Sequence, residues 1–249
     1  MRTGLRFLLM MLASTLTAAA QGGSAILPGV SLTQGKGSST LSAPLQIVVL
    51  LTLLTLLPAI IMSVTPFLRI SIVLHFLRQA LGTQSTPSNQ VLIGLALFLT
   101  ILIMQPVATE MYTKGWEPIE KGEVTAQEGF DRGTQPLRKF LVRYVREKDV
   151  RLLLEISHTP APARPADLGL AVLVPAYMLS ELKTGFQIGA VLFLPFLIID
   201  LVVASITLSI GMVQLPPVML SAPFKILLFV LVDGWNLVIG SLVRSFYQI

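Results

Sequence analysis

Residues 186–247 read FQIGAVLFLPFLIIDLVVASITLSIGMVQLPPVMLSAPFKILLFVLVDGWNLVIGSLVRSFY, and this stretch decides the fold. It predicts a long apolar helix from Phe186 to Met212, a proline turn, and a second apolar helix from Phe224 to Leu242. At about 1.5 Å per residue the first helix reaches roughly 40 Å, more than the ~30 Å apolar core of a bilayer. Pro216 and Pro217 cannot continue a helix, so the chain must turn there. The stretch is therefore predicted to be a membrane hairpin.

Each arm of this hairpin contains one acid, Asp200 in the first and Asp233 in the second. Counting from the turn places the two carboxylates at similar depth, roughly 14–18 Å from it. A carboxylate inside a bilayer is costly unless it has a partner or water. Lys225 lies nearer the turn, where it can snorkel to the interface or reach an acid on another helix. A pair of Asp200 and Lys225 is therefore expected more easily between subunits or through a bent helix than within one hairpin. Burial in helix or subunit contacts is the preferred interpretation of the acids, and a proton relay is the alternative.

The composition is typical of an integral membrane protein. The chain is 53% hydrophobic and 12% charged, whereas soluble domains carry about 25% charged residues. The net charge is +5, but the basic residues do not form a dense run, which argues against a nucleic-acid partner. There is no cysteine, so disulfides and thiolate metal sites are excluded.

No catalytic constellation is visible. His75 and His158 are far apart in sequence, and the chain has no phosphate-binding loop and no zinc-binding histidine pair of the H-E-x-x-H type. The sequence therefore predicts a protein that is not an enzyme and that binds no metal and no cofactor.

Five segments follow one another along the chain. Residues 1–20 have a basic start, an apolar run and an alanine-rich end, which predicts a cleaved signal peptide; an uncleaved anchor helix is the alternative. Residues 21–44 are rich in Gly and Ser and are predicted to be a flexible linker outside the cytoplasm. Residues 45–108 are predicted to form a first apolar hairpin, residues 109–174 a polar helical module, and residues 175–249 the C-terminal hairpin.

The first hairpin is predicted from apolar segments over Leu45–Val64 and Val91–Val107. Between them, Thr65 as N-cap and Pro66 as first residue predict a helix that ends near Gly82.

A cleaved signal peptide followed by four spans places this connection, and the turn over residues 213–223, in the cytoplasm. Arg69 and Arg78 lie in the connection without acids, which fits the positive-inside bias. The two arginines are either ordinary topology determinants and subunit-interface pairs or a docking point for a partner.

The polar module is predicted to contain an amphipathic helix, with Pro136 in its first turn, and a shorter helix over Val150–Ile156. It is predicted to lie outside the cytoplasm, and its many lysines and arginines do not contradict this because long loops are exempt from the positive-inside bias. The apolar face of the first helix either forms a ring with sister copies or is covered within a small cap. Its apolar residues recur at helical spacing: Leu137, Phe140, Leu141, Tyr144 and Val145.

Pro175 is predicted to start the helix that leads into the C-terminal hairpin. Gly185 and Gly189 form a GxxxG pattern, which lets helix backbones approach closely. Glu181 and Lys183 are interpreted as solvated charges at the membrane edge, and pairing with neighbouring subunits is the alternative.

Three stretches resemble the FliP family. Residues 175–189 read PAYMLSELKTGFQIG, residues 195–200 read PFLIID, and residues 229–235 read FVLVDGW. FliP proteins are core components of the export gate of the flagellar type III secretion system, and the injectisome has related proteins. The resemblance implies an all-α, multi-pass protein of the bacterial inner membrane at the flagellar basal body, with its N-terminus and polar module outside the cytoplasm.

The resemblance also implies an assembly. A pentamer-like ring with FliQ-like and FliR-like membrane subunits would meet export components similar to FlhA and FlhB and pass unfolded flagellar proteins. Family members carry a methionine-rich loop at the hairpin turn, where it acts as a gasket. This chain has one methionine there, and the candidate constriction is Met212, Val213, Gln214 and Leu215. The residues alone leave three classes open: an oligomeric protein-conducting channel, an ion-coupled small-molecule transporter and a passive scaffold.

Overall fold

The computed structural model describes residues 43–83, 85–160, 162, 164–211 and 216–247, without the side chains of residues 43–46 and 166. Throughout these residues the chain is helical and contains no strand, so the all-α prediction is confirmed. The predicted signal peptide over residues 1–20 and almost all of the predicted linker lie outside the described residues. The α-helices are α1 (Ala43–Ser63), α2 (Phe67–Ala80), α3 (Asn89–Met111), α4 (Glu117–Glu120), α5 (Ala126–Tyr144), α6 (Glu147–Ile156), α7 (Leu170–Ser209), α8 (Pro217–Leu231) and α9 (Gly234–Tyr247).

The first apolar segment is bent by 71° between α1 and α2. Helix α2 begins at Phe67, directly after Pro66, but the predicted N-cap role of Thr65 is wrong. The Thr65 hydroxyl is buried and makes no hydrogen bond within the described residues. Helix α1 is apolar on all sides and its large side chains are exposed, whereas α2 is buried among the other helices.

Helix α3 continues through a π-helical turn at Tyr112–Trp116 into α4. Helix α5 crosses this turn closely because glycines face each other: a Cβ on Gly115 would lie 2.6 Å from the Cα of Gly133. The Thr125 hydroxyl accepts a hydrogen bond from the backbone of Glu128, and this N-cap starts α5. Pro136 therefore lies in the middle of α5, and the prediction that it occupies the first turn was wrong.

The core is formed where α2 packs along α7, with α3, α5, α6 and α9 around them. Helix α7 begins at Leu170, so the prediction that Pro175 starts it was also wrong. Pro175 is the sixth residue of α7, so its missing N–H leaves one carbonyl of the first turn without its usual helical partner. The polar helices α5 and α6 pack on the first part of α7, and its large exposed apolar side chains begin at Phe186.

The second arm of the C-terminal hairpin is not one helix. Helices α8 and α9 are separated by a break at Val232 and Asp233 and meet at 65°. The prediction of a continuous helix from Phe224 to Leu242 was therefore wrong. Among the described residues, two helical segments are long and apolar enough to cross a membrane, Asn89–Glu120 and Leu170–Ser209; the number rises to four if each bent pair counts as one span.

Candidate functional site

An ion pair joins the two arms of the C-terminal hairpin. The Lys225 ammonium donates a hydrogen bond to Asp200 Oδ2 at 2.6 Å, and the Ser221 hydroxyl donates one to Asp200 Oδ1 at 2.5 Å. The lysine side chain is 2% exposed and that of Asp200 is 22% exposed. The carboxylate therefore lies at the edge of the site, whereas the ammonium is sealed inside it.

The expectation that Asp200 and Lys225 would pair more easily between subunits or through a bent helix than within one hairpin was wrong. Helix α8 starts at Pro217, so Lys225 is two turns into it, close to the depth of Asp200 in the antiparallel α7. Ser221 precedes Lys225 by four residues and therefore lies on the same face of α8. The long lysine stem covers the remaining distance, and both groups bind one carboxylate.

Asp233 has a different position from the one predicted. It is exposed, lies in the break between α8 and α9, and adopts a positive φ of 52°. Its carboxylate accepts a hydrogen bond from the side chain of Asn236 at 3.1 Å. Aspartate tolerates this left-handed conformation better than most residues, and its carboxylate binds a side chain of the first turn of α9. Asp233 is thus a turn residue and not a second acid beside Asp200.

The glycines of the GxxxG pattern face α2 of the same chain. A Cβ on Gly185 would lie 3.2 Å from the side chain of Ile72, and one on Gly189 would lie 2.6 Å from the ring of Phe76. Because the two glycines have no side chain, α2 can approach α7 closely at this point. The GxxxG pattern therefore packs two helices of the same chain against each other.

The candidate constriction, Met212 to Leu215, lies outside the described residues. The two ends of the turn are described: Gly211 has a left-handed φ of 81° after α7, and Pro217 is the first residue of α8. Glycine is favoured at that φ because it has no Cβ. Proline is favoured at the first helical position because an N–H there would have no acceptor within the helix. Pro216 precedes it in extended conformation.

A second buried ion pair, which the sequence interpretation missed, connects α2 to α7. Arg69 donates a hydrogen bond to Glu181 Oε1 at 2.5 Å, and the two side chains are 6% and 0% exposed. The guanidinium also donates to the Ser245 hydroxyl and lies 4.1 Å from the ring centre of Phe246. The Tyr144 hydroxyl donates to the Phe246 carbonyl, so α5 joins the same cluster.

Glu181 is therefore not a solvated boundary charge, and that interpretation was wrong. Its sequence signal was present but ambiguous, since an acid one turn after Tyr177 in an apolar run can be either buried or at an edge. Arg69 is bound inside its own chain, which leaves Arg78 as the more accessible arginine of the first connection. Arg78 contacts the His75 ring nitrogen Nδ1 at 3.2 Å.

The polar module is attached to α7 by a third polar cluster. Asp149 accepts two hydrogen bonds from the Arg146 guanidinium, at 2.8 and 2.9 Å, and one from the Ser180 hydroxyl at 2.6 Å. Burial raises the pKa of the Asp149 carboxyl, but the bonds from Ser180 and Arg146 outweigh it, and the pKa lies below its ordinary value.

The arrangement is suited to holding helices in place. Within the described residues, no three His, Asp or Glu side chains come close enough to bind a metal ion. The buried charges are paired across helices, and the outer faces of α1, α7 and α8 remain apolar and exposed. A single chain thus leaves a large apolar surface for lipid or other protein.

The chain has clear relatives. A model described as the FliP family matches residues 50–242. The flagellar biosynthetic protein FliP of Pectobacterium carotovorum is 48% identical over 89% of this chain and 86% of the relative. That of Bacillus subtilis is 45% identical over 87% of this chain and 98% of the relative, and that of Cereibacter sphaeroides is 47% identical over 88% and 73%.

Proposed function

The chain belongs to the FliP family and acts in flagellar biosynthesis and export, and on that premise we propose that it is a core subunit of the export gate. Sister copies, together with FliQ-like and FliR-like subunits, form a protein-conducting pore for unfolded flagellar proteins. The turn between α7 and α8, with Met212, Val213, Gln214 and Leu215, is the constriction of that pore.

The observation that supports this proposal is the hairpin of α7 and α8, whose two helices are joined by a buried ion pair and whose outer faces are apolar. The Asp200–Lys225 pair fixes the two arms to each other. On the outer faces, Leu201, Leu208 and Leu231 are more than half exposed. Sister copies that cover these faces around one axis would bring their turns to a common point, and fixed arms would hold each turn there.

The proposed location is the bacterial inner membrane, with several passes and with the polar module outside the cytoplasm. The apolar faces of α1 and α3 and the outer face of α7 support a membrane environment. The part of α7 that precedes Phe186 is covered by α5 and α6 of the same chain, so it does not face lipid. Of α7, it is therefore the later part, from Phe186 onward, that is offered to lipid or sister copies.

Replacing Met212, Val213 and Gln214 by glycines tests the constriction. The complex is expected to assemble normally but to let ions or small solutes leak through resting cells, because glycines cannot fill a narrow pore. Met212→Leu is the matched control, since leucine has a similar volume and should keep the seal. Assembly is followed by the size of the purified complex. A triple-glycine complex as tight as the parent would contradict the proposal.

A further inference from the structure

We infer that Lys225 joins both hairpins: its ammonium lies on Asp200 and also close to Gly82, which follows the C-terminal end of α2. Helix α2 ends at Ala80, and Gly82 follows with a left-handed φ of 74°. A Cβ placed on Gly82 would lie 4.0 Å from Lys225 Nζ and 3.7 Å from the Cβ of Ala222. The tip of the first hairpin therefore touches the arm that follows the turn.

The end of α2 is favourable for a cation. The last carbonyls of a helix carry a partial negative charge, which attracts cations within the last turn. Lys225 is almost fully buried, so water screens this attraction little. Its ammonium thus lies on the Asp200 carboxylate of α7 and close to Gly82, just beyond this end of α2.

An apolar layer closes the junction. It contains three residues from the end of α2, one from α7 and one from α8: Leu77, Ala80, Leu81, Phe196 and Phe229. Movement of α8 against α7 would separate the buried ammonium from the Asp200 carboxylate, which is costly. The junction therefore fixes the beginning of α8, and with it the end of the turn. If the proposed function is correct, Lys225 and Gly82 hold the constriction in its resting position.

Relocating the negative charge tests the inference. Asp200→Asn removes one neighbour of the ammonium, and Gly82→Asp supplies a carboxylate from the other side. Aspartate and asparagine both tolerate a positive φ, so Gly82→Asn is the uncharged match. Gly122 is the positional control because its φ is 72° and no atom lies within 4 Å of a Cβ placed on it.

The measurement is the midpoint of thermal unfolding of the purified full-length complex. Asp200→Asn should lower it, and adding Gly82→Asp should recover at least half of that loss. Adding Gly82→Asn or Gly122→Asp should recover none. The inference is overturned if Gly82→Asp and Gly82→Asn behave alike, if Gly122→Asp restores stability equally, or if the Asp200→Asn/Gly82→Asp protein fails to assemble while its Asn match does.

Ion leakage through resting cells separates this inference from the proposed function. Asp200→Asn should leak, and Gly82→Asp should reduce the leak in the double variant. If stability is restored but the leak is unchanged, the inference about Lys225 and Gly82 is supported and the proposed constriction is contradicted. Restored stability together with a restored seal would support both.

Discussion

Arg69 on α2 donates a hydrogen bond to Glu181 on α7 at 2.5 Å, although the two residues are 112 positions apart in the chain. Both side chains are nearly inaccessible to water. Attraction between buried charges roughly offsets the cost of removing them from water, but removal of one partner leaves an unpaired buried charge. The pair also brings α9 to the core through Phe246.

Glu181→Ala should therefore lower the free energy of unfolding by about 3–5 kcal/mol, because Arg69 would be left charged and unpaired. Glu128→Ala is the matched control, since the Arg132–Glu128 pair is equally short but half exposed. That control should cost under about 1 kcal/mol. Denaturant unfolding of the purified protein in detergent measures both, and equal effects would contradict the role given to the buried pair.

Gly115→Ala should disturb the crossing of α5 over the π-helical turn. A methyl group there would lie 2.6 Å from the Cα of Gly133, which is backbone and cannot rotate away. We expect a loss of roughly 1–3 kcal/mol from overpacking. Gly94→Ala on α3 meets no atom within 4 Å and should leave stability unchanged or slightly raised. Thermal unfolding measures both variants. If Gly115→Ala does not lower the unfolding midpoint, α5 and the π-helical turn are not packed this closely.

The attachment of the polar module to α7 should weaken in acid. Because the pKa of Asp149 is lower in the folded protein than its ordinary value of about 3.9, its contribution is complete above that value and is lost as the pH falls through the folded pKa. The Asp149→Asn variant should be less stable than the parent protein at neutral pH. The difference in unfolding free energy between the two proteins should become smaller below about pH 4. Unfolding curves from pH 3 to pH 7 would show this, and a gap that is constant with pH would contradict it.

Asp200→Asn separates a structural acid from a proton relay. If the acid holds Lys225 in place, the variant should assemble poorly or unfold at lower temperature, because a sealed ammonium loses its counter-charge. If the acid relays protons, the complex should assemble normally and lose proton-dependent export. We expect the first result, measured as the yield of intact complex together with secretion of flagellar proteins.

Much of the fold was predictable from apolar length and from proline and glycine. The helices of the first hairpin and the long α7 follow directly from long apolar runs of sequence, because in an apolar environment such a run satisfies its backbone hydrogen bonds as a helix. Boundaries near prolines were less predictable. Pro136 and Pro175 both lie inside helices, because a cap at Thr125 and the packing of α7 decided the starts instead.

The polar pairs were the least predictable part of the site. Asp200 and Lys225 were each visible in the sequence, but their pairing depends on where α8 begins and on how far a lysine stem reaches. Asp233 could not be told from a buried acid, because the apolar run continues on both sides and does not show that the helix breaks there. At the break Gly234 lies against the ring of Phe229, where a Cβ would be 2.2 Å away. Arg69 and Glu181 required knowledge that α2 packs along α7.

Electron cryomicroscopy of the purified membrane complex tests the central claim most directly. The account predicts several copies of this chain around one axis, with the turns between Gly211 and Pro217 converging on a central passage and with the outer faces of α7 and α8 covered by neighbours. A particle with a single copy, or a ring whose turns lie at its periphery around no passage, would contradict it.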